Sequence, residues 1–177
     1  RIMSKHIICI GECMLEVQST DLENKNLAGN SLAFGGDVYN TAFAIQQCSA
    51  TDNRVSFLSA IGDDEFSHQM LRSWQQQGID TEHVSILASK QAGLYIVKTD
   101  DAGERTFTYW RNESAARELF QSSQFPTLLE TMAAPNCLYF SGISLAIMSE
   151  ANRERLLHFA KQWAESGCVV AFDSNYR

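Results

Sequence analysis

The chain has 177 residues, 45% hydrophobic and 20% charged, with ten glycines and two prolines. That balance excludes a disordered, collagen-like or low-complexity chain and supplies enough apolar surface for one core of ordinary size. Fourteen Lys and Arg against 21 Asp and Glu leave a formal charge of −7, which argues against a general affinity for nucleic acid. No apolar run approaches the ~20 residues that span a bilayer, and no cationic segment followed by an apolar one opens the chain, so a cytoplasmic location is expected. The five cysteines (Cys9, Cys13, Cys48, Cys137 and Cys168) are odd in number and contain no CxxC, the pattern of free thiols rather than disulfides or a zinc site.

In chain order, His6–Ile10 is a short apolar run that barely alternates, as in a parallel strand covered on both faces. Residues 13–34 hold short alternating pieces and a Gly29-Asn30 turn, with no helical stripe. Asp37–Cys48 reads as a helix with Val38, Ala42 and Ile45 on one stripe, and Val55–Ile61 as a second buried strand. Asp64–Gln77 repeats the helical pattern with Phe66, Met70 and Trp74 inward and Gly78 at its C-terminal stop. Gly93–Thr99 and Arg105–Arg111 flank a polar turn, so a hairpin is expected. If the turn centres on Ala102, partners sum to 204 and Tyr95 faces Tyr109. Parity then gathers Tyr95, Val97, Arg105, Phe107, Tyr109 and Arg111 on one face, with Leu94, Ile96, Thr106, Thr108 and Trp110 on the other. Cys137–Phe140 is a third strand. Ser149 can cap a helix that runs to Ser166, buries Leu156, Ala160 and Trp163 and stops at Gly167, and Cys168–Phe172 is a fourth strand that, like the first, barely alternates, as in a strand covered on both faces. Phe66, Trp74, Phe159 and Trp163 are expected in the core. Strands alternating with helices define an α/β class with a mostly parallel sheet; 13–34 and 93–111 stand apart as a small β layer.

The strands end in Gly11-Glu12, Gly62-Asp63-Asp64, Ser141-Gly142 and Asp173-Ser174-Asn175-Tyr176-Arg177. In open α/β sheets ligands bind beyond the carboxyl ends of strands, so these ends mark one expected site edge. Gly35-Gly36 opening the helix at Asp37 either exposes backbone N–H groups to an anion or a hydroxyl-rich ligand, with Asn40 one turn in, or makes a plain tight turn. Arg105, Arg111, Arg117 and Arg177 stand out in an acidic chain, because arginine grips carboxylate or phosphate bidentately. Gly62-Asp63-Asp64-Glu65 reads as acidic residues complementing a helix dipole rather than as a metal site. No P-loop, GxGxxG, HExxH or GxSxG is present.

Taken together, Gly11-Glu12-Cys13-Met14, FGGDxxN at 34–40, SAIGDDEFS at 59–67, GLYIVKTDDAGERTFTYWRNESAAR at 93–117, LYFSGISLAI at 138–147 and FDSNYR at 172–177 resemble the ribokinase-like (PfkB-type) carbohydrate kinases. GERTFTYWRN with FDSNYR resembles the members that act on sugar acids. The resemblance implies that residues 1–177 are the N-terminal part of a single three-layer α/β kinase domain. Segments 13–34 and 93–111 would form a β-sheet lid that also makes a homodimer. It implies transfer of the γ-phosphate of ATP, with Mg2+, to the 6-hydroxyl of 2-keto-3-deoxygluconate. The substrate-binding positions it implies are Gly35, Gly36, Asn40, Tyr95, Tyr109, Arg111 and Arg177, with no metal ligand. Gly36 and Asn40 would hold sugar hydroxyls, the tyrosines would line the lid side, and the two arginines would face the carboxylate and keto end. The Gly-Ala-Gly-Asp segment with the general base, and most of the ATP pocket, would lie beyond Arg177, so the 177 residues alone are expected to be inactive. Two further readings stay open: a fructose or ribose kinase of the same fold, and a non-catalytic module that binds a sugar acid or dimerises.

Overall fold

A computed structural model describes residues 4–19, 31–49, 52–100, 102–121 and 129–175. Four strands, β1 (His6–Ile10), β4 (Arg54–Leu58), β9 (Cys137–Ser141) and β10 (Val169–Asp173), form a parallel sheet in the order β10-β9-β1-β4. Their side chains alternate between two cores. Ile8, Ile10, Leu58, Leu138 and Phe140 point into one, and Cys9, Val55 and Phe57 into the other. The second core is closed by α1 (Asp37–Cys48) and α2 (Glu65–Gln76), where Trp74 is fully buried with its ring edge-on to Phe57 at 5.0 Å. The first is closed by a 3-10 turn pair over Ala115–Gln121 and by α4 (Glu150–Glu165), which buries Leu156, Phe159, Ala160 and Trp163. Three layers result, as two apolar sheet faces require.

Helix limits follow the caps. Asp64 accepts from the Ser67 N–H and Ser149 from the Asn152 N–H, while Gly78 (φ +79) and Gly167 (φ +91) take the left-handed stops.

The second sheet has the order β3-β2-β7-β8, formed by β2 (Met14–Ser19), β3 (Ser31–Gly35), β7 (Gly93–Thr99) and β8 (Arg105–Trp110). Its hairpin has the expected register, with Tyr95 opposite Tyr109 and Val97 opposite Phe107. Asp100 Oδ1 accepts from the N–H groups of Ala102 and Glu104, and Gly103 (φ +83) completes the turn. β7 joins β2 in parallel. The Gly29-Asn30 turn lies outside the described residues.

Several expectations need correction. The run Val55–Ile61 is not one strand: β1 ends at Ile10, the chain turns away at Ser59, and β5 (Ala60–Gly62) pairs instead with β6 (Ser85–Leu87). Phe66 is 49% exposed, because the buried stripe of α2 runs through Ser67, Met70 and Trp74 once Asp64 and the Gly62 N–H draw Ser67 inward. β10 is not covered on both faces. Among the described residues it pairs only with β9, and Val169 and Phe172 are exposed.

At the amino end of the sheet His6 Nε2 lies 2.8 Å from Ser56 Oγ, which donates to Asp80 at 2.5 Å. Arg54 binds the same carboxylate at 2.7 Å. Burial, helped by Arg54, lowers the pKa of His6. Among the described residues no helix is long and apolar enough to cross a membrane.

Candidate functional site

At the carboxyl edge of the parallel sheet, where the small sheet overhangs it, is a cavity of about 460 Å3. Three strand ends reach it. Glu12 follows β1, Ile143 lies in α3 (Gly142–Ile147) just after β9, and Asn175 follows β10. The fourth end does not. Asp64 is spent on capping α2, and Gly62 packs beneath the Lys90 carbonyl. Among the described residues no group of three His, Cys, Asp or Glu could hold a metal ion.

The start of α1 supplies Gly36, Asp37 and Asn40. Gly36 is in extended backbone, so its need for glycine is spatial: a Cβ there would collide with the Glu12 carbonyl oxygen. Asp37 Oδ2 accepts from Ser141 Oγ at 2.5 Å and from Asn175 Nδ2 at 3.0 Å, tying three elements into one rim. Asn40 stands one turn in, exposed to the cavity with both amide functions available to a hydroxyl.

The small sheet supplies an aromatic wall of Tyr95, Phe107 and Tyr109, with Tyr95 and Tyr109 centroids 5.7 Å apart and Phe107 stacked on Tyr109 at 6.2 Å. Tyr95 donates to the Glu16 carboxylate across the β2–β7 pairing, and burial together with that bond raises its pKa. Gly35 does not line the cavity; any Cβ there would overlap the Tyr95 hydroxyl, so this glycine makes room for the Tyr95–Glu16 bond.

Arg111 enters from the end of β8 with its guanidinium 5.9 Å from the Tyr109 ring centroid. It donates through NH2 to Glu12, whose residue is 3% exposed. Burial raises the Glu12 pKa, and Arg111 pulls it back. Glu12, Asp37 and Asn175 were not singled out by sequence. The available signal was their place directly after a strand or the glycine pair. Arg177 lies outside the described residues, and Arg105 is exposed near the turn. Burial pushes the Cys9 thiol up to about 12 and also raises Cys13, behind the site, whereas Cys48 is exposed.

A two-sided α/β sheet, a ligand cavity at its carboxyl edge and a small sheet over that cavity define the architecture of a ribokinase-like carbohydrate kinase. The chain matches the pfkB family carbohydrate kinase profile over residues 4–177 and belongs to that family. It is 42% identical over 176 residues to 2-dehydro-3-deoxygluconokinase of Escherichia coli (strain K12), covering 99% of this chain and 55% of that protein. The chain thus spans about half the length of the curated relatives it matches. The fold is also that of 2-dehydro-3-deoxygluconokinase from Thermotoga maritima, at TM-score 0.79 and 20% identity over 98% of this chain and 52% of that one. It is likewise that of fructokinase with bound ATP from Xylella fastidiosa, at TM-score 0.73 and 22% identity over 99% of this chain and 50% of that one.

Proposed function

We propose that this site belongs to an ATP-dependent sugar-acid kinase that phosphorylates 2-keto-3-deoxygluconate on its 6-hydroxyl. Arg111 carries the reading: among the described residues it is the one cation in the cavity wall, and a neutral sugar gives the donors it keeps beside Glu12 no carboxylate to meet. Its charge-assisted N–H groups would take the substrate carboxylate, joined, as the family resemblance implies, by Arg177. Asn40 and the backbone at Gly36 would hold hydroxyls, with Tyr95 and Tyr109 packed over the sugar. The small sheet would serve as the lid, and its outward residues Leu32 and Trp110, 50% and 56% exposed, would pair two chains.

Phosphoryl transfer is mostly positioning and electrostatic stabilisation, and ATP supplies the γ-phosphoryl group. The described residues offer no acidic cluster for Mg2+, and in this reading the metal would come with the nucleotide's phosphates. Both carboxylates on the cavity wall are engaged, Glu12 by Arg111 and Asp37 by Ser141 and Asn175. The resemblance to ribokinase-like kinases implies that the general base lies in a Gly-Ala-Gly-Asp segment C-terminal to Arg177, and on that reading the 177 residues alone would bind the sugar without turning it over. Comparing phosphorylation of 2-keto-3-deoxygluconate, fructose and ribose by the full-length protein tests the reading. Preference for the sugar acid supports it; equal or better use of fructose or ribose refutes it.

A further inference from the structure

We propose that Glu12 is a positioning residue, holding the Arg111 guanidinium against the cavity in the orientation that receives the carboxylate of a sugar acid. The inference deepens the reading of this site as a sugar-acid pocket and rests on it.

Glu12 is 3% exposed at the end of β1, where an ionised carboxylate is costly unless it is paired. Its partner comes from 99 residues away in sequence. Space for the pair is built into the fold. Gly93 opens β7 beside both residues, and a Cβ there would lie 2.9 Å from Glu12 Oε1 and 3.2 Å from Arg111 Cβ. Its φ is not in the left-handed region, so the backbone does not require glycine there. The space is taken instead by the pair together with Met14, whose Cγ would lie 3.0 Å from that Cβ.

Arginine has five donors in a rigid fork, and its long stem carries much rotamer freedom. Glu12 accepts from one terminal nitrogen, and the Tyr109 ring lies 5.9 Å from the guanidinium carbon. Two restraints of different kind therefore act on one planar group. Arg111 Nε remains buried without a hydrogen-bond partner among the described residues, so donors are left over after Glu12 is served. The side chain is ordered on folding rather than on binding, which is preorganisation. Glu12 also cancels the charge of Arg111, so what the pair offers an incoming carboxylate is direction more than net charge. Carboxylate binding should then depend on Glu12 only through Arg111.

A double-mutant cycle in the full-length protein tests this. Glu12→Gln should raise KM for 2-keto-3-deoxygluconate about tenfold while kcat changes less than about threefold, the signature of lost ground-state binding. In an Arg111→Met background the same substitution should change KM less than about twofold. Additive losses, or an unchanged KM in Glu12→Gln, would overturn the proposal. Should Glu12→Gln fail to fold, Glu12→Asp keeps the charge one methylene short and should give an intermediate rise that again vanishes beside Arg111→Met. A substrate-free arm separates this proposal from the functional reading. In 15N spectra of arginine side chains, the signal deleted by Arg111→Met should be rigid in the unliganded wild type and mobile in Glu12→Gln. If the wild type phosphorylates no sugar acid, the functional reading falls and the spectra alone decide whether Glu12 holds Arg111. A mobile wild-type signal, or a rigid one in Glu12→Gln, refutes the positioning.

Discussion

Replacing Arg111 with Met in the full-length protein leaves Glu12 buried without its counter-ion. Removing one partner of a buried pair costs about 3–5 kcal/mol. The Arg111 side chain is 19% exposed, which puts the expected loss near the lower end, about 3 kcal/mol at neutral pH. The cost should depend on pH. Burial already raises the folded-state pKa of Glu12, and loss of the guanidinium removes the main opposing influence, leaving the smaller ones of Ser114 and Arg117. The unfolded carboxyl titrates near 4.5. Well below that value both states are protonated and the penalty is absent. As pH rises through it the unfolded state ionises first, so the variant loses stability until pH passes the raised folded pKa, where the deficit is complete. Urea unfolding of wild type and variant at about pH 4 and about pH 7.5 reads this directly. A deficit of the same size at both pH values, or one below about 1 kcal/mol at the higher, would refute the buried unpaired carboxylate as its cause.

Arg105→Met removes an exposed charge near the hairpin turn and should cost under about 1 kcal/mol in unfolding experiments, with kcat/KM for the sugar acid within about twofold of wild type. Gly35→Ala drives a methyl group into the Tyr95 hydroxyl; losing the bond to Glu16 should destabilise by about 1.5–3 kcal/mol and raise KM more than it lowers kcat, as steady-state kinetics and urea titration would show. Trp74→Ala empties a fully buried site beside Phe57 and Tyr39 and should cost about 3–5 kcal/mol, read as a fall in the urea midpoint. The lowered folded pKa of His6 gives stability that is whole above the ordinary value of 6.5 and declines as pH falls below it, because the unfolded state takes the proton first. His6→Gln should flatten that slope in thermal melts at a series of pH values.

Elements whose signals are local were legible in the sequence. α1 was read with its full span, Gly78 and Gly167 as helix stops, and the hairpin register from the turn alone. Tyr95, Tyr109 and Arg111 followed from that register by parity. What sequence could not supply depends on partners far along the chain. Val55–Ile61 is apolar apart from Ser56 and Ser59, and an isolated serine does not signal that β5 changes partner at Ser59. Phe66 fits the helical stripe, yet Ser67 is drawn inward by a hydrogen bond no periodicity registers. Glu12 reads only as part of a strand end on the expected site edge until Arg111 is found beside it, and no local signal shows that the Tyr95 hydroxyl occupies the place of a Gly35 side chain.

The cavity wall is stitched from residues 99, 104 and 138 positions apart, through Arg111–Glu12, Ser141–Asp37 and Asn175–Asp37. Chain closure over such spans has an entropic cost that only a largely assembled domain recovers, whereas the β7–β8 hairpin closes across a few residues on a microsecond scale. During synthesis the hairpin can therefore form early and wait. Met14 to Ser19 must find it across the whole α1–α2 unit, and the rim around Asp37 is complete only when Asn175 arrives. The cavity wall is consequently closed late, after the hairpin that carries its aromatic residues has already formed.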